Sequence, residues 1–166
     1  MAKRKVNALE LIQKIEKLTR GRMASGEVVS LDNFRELKKK IDPPTILVID
    51  DDESMRASMK RIFEQESYIV KLANDATELS KVLDEVTPDL ILMDVGLPWL
   101  NGFELGQMLK EHKDLKKIPL VFVSGKTDEA DVKKAFEIGA NDYIKKPFEI
   151  DKLKKTVQTL LKINQS

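Results

Sequence analysis

PDLILMDVGLP, residues 88–98, is the stretch on which the fold turns. Leu90 to Met93 form an apolar run with no polar alternation, the pattern of a short strand buried on both faces. The run stops on a carboxylate, Asp94, and a glycine and a proline (Gly96, Pro98) then keep the strand from continuing. Taken alone, Asp94 reads as a residue that caps the turn after the strand. Whether it does more depends on what the rest of the chain places beside it.

Working outward, TILVID (45–50) and PLVFVS (119–124) are runs of the same kind, apolar throughout at 46–49 and 120–123. YIVKLA (68–73) and NDYIK (141–145) carry polar residues and suit the edges of a sheet. Helical patterns lie between and after these strands. Met55, Met59, Ile62 and Phe63 share one face, as do Leu79, Val82, Leu83 and Val86. Phe103, Met108 and Leu109 are expected to face inward from a third helix, Ala135 and Phe136 from a fourth, and Ile150, Leu153, Val157, Leu160 and Leu161 from a fifth. Strands that alternate with helices predict an α/β domain with a parallel sheet, because parallel neighbours need crossover connections. The second and fifth strands are expected outermost.

In an open sheet of this type ligands bind beyond the carboxyl ends of the strands. The strand endings there are unusual. The first strand ends in Asp50-Asp51, with Asp52 and Glu53 following; the third ends in Asp94, the fourth in Ser124-Gly125, and the fifth runs into Lys146-Pro147. Crowded carboxylates raise one another's pKa unless a cation intervenes. Mg²⁺ suits such a set, since it takes oxygen ligands and keeps waters that a phosphate can replace. Lys146 would supply a compact charge for phosphoryl oxygens. Asp94 is then a carboxylate beside a metal site, able to attack phosphorus.

With those residues in view, the chain from 45 to about 163 resembles the receiver domain of bacterial two-component response regulators. The matching motifs are ILVIDDDESMR, PDLILMDVGLPWLNG, VFVSG and GANDYIKKPF. Each alone is common; together, each on a strand end, they are specific. The resemblance implies a doubly wound, flavodoxin-like fold with five parallel strands in the order 2-1-3-4-5, an order named for this family in general accounts of such sheets. It implies that Asp94 is the phospho-acceptor, that Asp51 and Asp94 supply Mg²⁺ ligands together with the backbone carbonyl of Gly96, and that Asp50 acts mainly through a water. Lys146 would pair with Asp94 and then with the phosphoryl group. Ser124 would donate to a phosphoryl oxygen, Tyr143 would swing inward in response, and Pro147 would follow a cis peptide bond.

The segment after the acceptor departs from the family's usual pattern at Trp99, which is expected to pack locally rather than to stand exposed as a partner's anchor. The resemblance implies that the residues two beyond the acceptor and two beyond the switch hydroxyl shape access to the phosphoryl group, and here these are Gly96 and Lys126. The first cannot orient a water and the second can occlude the attacking side, so a long-lived phosphorylated form is expected.

Composition restricts the remaining possibilities. The chain of 166 residues carries a net charge of +1 and no cysteine, which gives no bulk case for nucleic acid and excludes disulfides and thiol-metal sites. No apolar run approaches the ~20 residues of a membrane span, and MAKRKVNALELIQK lacks the apolar core of a secretory signal, so a cytoplasmic protein is expected. His112, the single histidine, lies in KEHKD and is expected to be solvated. The phosphoryl donor should then be a separate histidine kinase, a phosphotransfer protein or a small phosphodonor.

Charge is uneven along the chain. Residues 1–44 hold eleven Lys/Arg and six Asp/Glu (net +5), and residues 45–166 hold eighteen and twenty-two (net −4). The Pro43-Pro44 pair between them marks an expected boundary between an N-terminal extension, 1–44, and a receiver domain, 45–166. In the extension, Val6, Leu9, Ile12 and Ile15, with Leu11 and Leu18, suggest one helix. Leu31, Phe34, Leu37 and Ile41 suggest another, capped by Ser30 or Asp32. Two such helices make no core of their own, so they are expected to self-associate or to dock a partner, with a homodimer favoured. Helix-turn-helix DNA binding is disfavoured by the long loop and the missing third helix. The expected function is that of a stand-alone response regulator that signals to a downstream protein. The alternatives are a constitutive scaffold and a DNA-binding regulator using the basic helices.

Overall fold

The computed structural model describes residues 42–165. The helices expected in residues 1–41, and their role in self-association, fall outside the described residues. The described part forms a five-stranded sheet in the order β2-β1-β3-β4-β5, with every pairing parallel. The strands are β1 (Thr45–Ile49), β2 (Ile69–Ala73), β3 (Leu90–Met93), β4 (Leu120–Ser124) and β5 (Asp142–Lys145). They alternate with α1 (Glu53–Gln65), α2 (Ala76–Glu85), α3 (Gly102–Glu111), α4 (Glu129–Ile138) and α5 (Ile150–Gln165). The three central strands are the fully apolar runs, and β2 and β5 stand at the edges, as their polar residues require.

Alternation along each strand divides the core between the two faces of the sheet. Leu47, Ile49, Ile91, Met93, Leu120 and Phe122 pack with Leu79 and Val82 of α2, Phe103, Leu105 and Leu109 of α3, and Ala135 of α4. Ile46, Val48, Leu90, Leu92, Val121, Val123 and Ile144 pack with Met59 and Phe63 of α1 and Leu153, Val157 and Leu161 of α5. Each fully buried aliphatic or aromatic side chain contributes about 1.5–3 kcal/mol, so the central strands dominate stability.

Three apolar residues expected to face inward do not. Met108 is 59 % exposed, and Phe136 and Ile150 are each 49 % exposed. The inward face of α3 is built instead around Gly102 and Gly106 with Phe103, Leu105 and Leu109. A Cβ on Gly106 would lie 2.8 Å from the Phe122 ring, so this helix approaches the sheet too closely for a side chain there. Met108 lies off that face. In α4 the small Ala135 occupies the contact and its neighbour Phe136 is carried outward. Ile150 sits at the first turn of α5, before the helix reaches the core residues Leu153 and Val157.

Helix starts follow local chemistry. Asp52, Asp75 and Asn101 cap α1, α2 and α3, accepting from the amides of Met55 (3.2 Å), Glu78 (2.8 Å) and Phe103 (2.8 Å). Helix α4 ends at Gly139, whose φ of 110° is left-handed and open to glycine at little cost. No helix among the described residues is long and apolar enough to cross a membrane.

Candidate functional site

The carboxyl ends of β1, β3, β4 and β5 bring the singled-out residues together on one rim of the sheet. Asp50 follows β1 and is the most enclosed of the three carboxylates, 3 % exposed. Its amide donates to the Ala73 carbonyl (3.3 Å). Its Oδ1 accepts from the Asp52 amide (2.9 Å) and its Oδ2 from Lys146 Nζ (2.9 Å). Asp51 is exposed, and Asp94 is half-buried, its amide bonded to the Ile49 carbonyl (3.0 Å). Oxygens of Asp50, Asp51 and Asp94 lie within 4.8 Å of one another. Asp94 also does what a turn-capping residue would do, since its Oδ1 accepts from the Gly96 amide at 3.3 Å. The turn-capping role is therefore present in the fold, on a residue that also lies in the carboxylate cluster.

Lys146 reaches in from the end of β5, its amide held by the Ser124 carbonyl (2.9 Å), and the peptide bond to Pro147 is cis. Its ammonium lies 2.9 Å from Asp50 Oδ2 and 3.5 Å from Asp94 Oδ2. The resemblance led us to expect Asp94 as its partner. The closer contact is to Asp50, whose side chain is 4 % exposed against 14 % for Asp94, so less water competes for it. Burial lowers the Lys146 pKa, but the hydrogen bond it donates to Asp50 and the charges of Asp50 and Asp94 outweigh it, and the group is held above its ordinary value. Burial raises the Asp50 carboxyl, and the bonds from Lys146 and the Asp52 amide recover only part of that. Three carboxylates outnumber the one ammonium that pairs with them. The donor set therefore fits a divalent, oxygen-seeking cation such as Mg²⁺.

On the other side of the rim, Ser124 is 1 % exposed and its Oγ accepts from the Lys126 amide (3.2 Å). Tyr143 is buried, its ring tilted against Phe122 at 6.3 Å, and its hydroxyl donates to the Lys126 carbonyl. Burial pushes the phenol above its ordinary range, against a hydrogen bond from Ser124, and the charges of Asp131, Asp94 and Asp128 add to the rise.

Trp99 packs against the core on the α2–α4 face, as expected. His112 is an exposed residue at the end of α3, its Nδ1 accepting from the Asp114 amide (3.2 Å), and it is not part of the rim. One participant escaped the sequence reading. Arg56 Nη1 donates to the Asp50 carbonyl at 2.8 Å. The signal was a cation in the first turn of a helix, where the macrodipole disfavours it and a specific acceptor is needed to hold it.

Residues 46–158 match the family described as the response regulator receiver domain. The chain is 38 % identical over 118 residues to the aerobic respiration control protein ArcA of Escherichia coli K12, covering 71 % of this chain and 48 % of that protein. It is 34 % identical over 119 residues to the DNA-binding response regulator MtrA of Mycobacterium tuberculosis H37Rv, covering 72 % and 51 %. The chain thus spans about half the length of the curated relatives it matches. Among solved structures, the receiver domain of a signal transduction histidine kinase from Syntrophus aciditrophicus superposes with a TM-score of 0.66 at 32 % identity, covering 72 % of this chain and 90 % of that one. A receiver domain protein from Methanospirillum hungatei superposes with a TM-score of 0.69 at 27 % identity, covering 75 % and 98 %.

Proposed function

The chain belongs to the response regulator receiver domain family, and from that premise we propose that Asp94 accepts a phosphoryl group and that the protein signals through contacts which depend on it. The observation that carries this reading is the convergence of Asp50, Asp51 and Asp94 within 4.8 Å, with the Lys146 ammonium spanning two of them. An Asp94 carboxylate oxygen forms the new bond to phosphorus as the donor's phosphorus–nitrogen bond breaks, and the electron pair returns to the imidazole of a kinase or phosphotransfer protein. Mg²⁺, held by Asp50, Asp51, Asp94 and the Gly96 carbonyl, would supply the positive charge that offsets the phosphoryl oxygens. Lys146 stays cationic across the physiological range and neutralises a further share of that charge. In this reading Ser124 turns its hydroxyl toward a phosphoryl oxygen, which would loosen its hold on the Lys126 amide and so carry the signal through the Lys126 carbonyl to Tyr143 and toward α4.

Residues 1–44 form an extension outside the receiver region in this reading, which pairs two copies or docks a downstream protein. MtrA is named as a DNA-binding response regulator, but the matched region is only 51 % of that protein. The receiver residues discussed above have no role in DNA contact on this reading. The test is incubation with a small phosphodonor and Mg²⁺, read by intact mass. One added phosphate is expected, lost with EDTA or in Asp94→Asn. Labelling that persists in Asp94→Asn refutes the assignment.

A further inference from the structure

Trp99 lies in the loop between β3 and α3, and its Nε1–H donates a 3.0 Å hydrogen bond to the backbone carbonyl of Asn74, the first residue beyond β2. One residue earlier, the Ala73 carbonyl accepts the amide of Asp50. Adjoining residues at the end of β2 therefore hold, on one side, the strand end that carries Asp50 and Asp51 and, on the other, the loop that leaves Asp94. That end of β2 is itself anchored, because the Asn74 amide donates to the Glu78 carboxylate (2.7 Å). The buried Oδ1 of Asn74 has no hydrogen-bond partner, so the polar link to the β3–α3 loop runs through the Asn74 carbonyl. The indole is therefore a direct polar tie from the β3–α3 loop to the β2–α2 turn.

We propose that Trp99 is a positioning residue for the divalent cation site: its N–H, bonded to the Asn74 carbonyl, sets how far the Asp94 loop stands from the strand end bearing Asp50 and Asp51. The inference rests on the reading of these three carboxylates as a Mg²⁺ site. Mg²⁺ demands near-octahedral geometry at short range, so its affinity falls when ligands on separate loops are free to drift apart. Without the tie, the ion must itself draw the loop into register, and binding weakens by what that ordering costs.

The chain has a single tryptophan, so Trp99 can be replaced selectively by 3-benzothienylalanine, which keeps the shape of the indole and substitutes sulfur for the N–H. Trp99→Phe serves as a second variant. Mg²⁺ is titrated into the full unphosphorylated chain by calorimetry, and melting in EDTA is followed alongside. The expected result is a Mg²⁺ dissociation constant raised about fivefold, the equivalent of one ordinary hydrogen bond. The Mg²⁺ concentration needed for half-maximal phosphorylation should rise in step, and the lost rate should return as Mg²⁺ is increased. A purely structural role would lower the melting temperature and leave the Mg²⁺ constant in place, and that result overturns the proposal. If the wild-type chain itself takes up no Mg²⁺, the reading of the site fails and this inference falls with it; a wild type that binds and variants that match it defeat only the role of Trp99.

Discussion

Gly102→Ala should damage both the fold and the acceptor, and the structure sets how much. A Cβ at residue 102 would lie 2.3 Å from the Asp94 carbonyl oxygen, 2.6 Å from Val95 Cα and 2.9 Å from the Val95 carbonyl oxygen. All three are main-chain atoms, so no side-chain rotation relieves the clash. Restoring ordinary contact requires the start of α3 and the segment after β3 to separate by roughly an ångström. That movement would also stretch the 2.8 Å bond from the Gly102 amide to the Val95 carbonyl. Overpacking typically costs about 1–3 kcal/mol and an unsatisfied buried amide about 1–3 kcal/mol more. The helix-propensity gain of alanine, at most about 1 kcal/mol, offsets little of this at a first-turn position. The net expectation is a loss of roughly 3–4 kcal/mol out of the 5–15 kcal/mol common for such domains. Urea denaturation should show a lower midpoint. Under conditions where the variant is still folded, phosphorylation from a small donor should be slower, because the clash falls on the carbonyl of the acceptor itself. A variant within about 1 kcal/mol of wild type that phosphorylates at the same rate would refute this account of how α3 positions Asp94.

Two further expectations concern charge and lifetime. Burial raises the Asp50 carboxyl, so the folded state holds a proton there more tightly than the unfolded chain, and stability falls as pH climbs from the ordinary value of 3.8 through the raised one. Asp50→Asn, measured in EDTA by chemical denaturation across pH 4–9, should flatten that acid-side fall and stabilise the apo protein at neutral pH by about 0.5–2 kcal/mol, and a variant less stable than wild type at pH 7 contradicts it. The raised Lys146 acts at the other end, stabilising below its ordinary value and losing that contribution as pH rises through the folded one, so this pair leaves the neutral range unaffected by Lys146 titration. Gly96 has open space where a Cβ would stand, and Lys126 is exposed beside Ser124, so Gly96→Asn and Lys126→Glu should fold normally and shorten the lifetime of the isolated phospho-protein; decay rates unchanged in both would dismiss the water-access argument.

The strands were legible because burial on both faces leaves one kind of signal, an unbroken apolar run, and the polar residues of β2 and β5 marked them as edges. The rim was legible for a related reason: each strand end that departs from apolar character, at Asp50, Asp94, Ser124 and Lys146, does so at the same level of the sheet. Helix faces were less so. Periodicity counts side chains, and α3 faces the sheet partly with glycines, which carry no apolar signal, so Met108 was given a place that Gly106 fills. In α4 the pattern could not say whether Ala135 or Phe136 would lie nearest the sheet, because both are apolar neighbours, and in the fold Ala135 is buried while Phe136 is carried outward. The preference of Lys146 for Asp50 over Asp94 was beyond the sequence as well, since it follows from how enclosed each carboxylate is once the strands are assembled.

The two sides of the rim differ in how firmly they are held, and the difference bears on signalling. Around Asp94 the backbone is pinned by the Ile49 carbonyl, by close contact with Gly102 and by the tie through Trp99. Helices α1, α2 and α3 also begin on side-chain caps at Asp52, Asp75 and Asn101. Helix α4 begins at Asp128 without a side-chain cap, and it is preceded by Gly125, which touches nothing where a Cβ would stand. A missing cap is worth about 1 kcal/mol, so the segment from 125 to the first turn of α4 yields at lower cost than the acceptor side does. A change at Ser124 Oγ, which now holds the Lys126 amide, is therefore expressed most cheaply by displacing residues 125–128, whose Lys126 carbonyl in turn holds the Tyr143 hydroxyl. Under the proposed function, the rigid side of this sheet edge is the one where phosphorus would be met in register, and the compliant side is the one that would pass the result on.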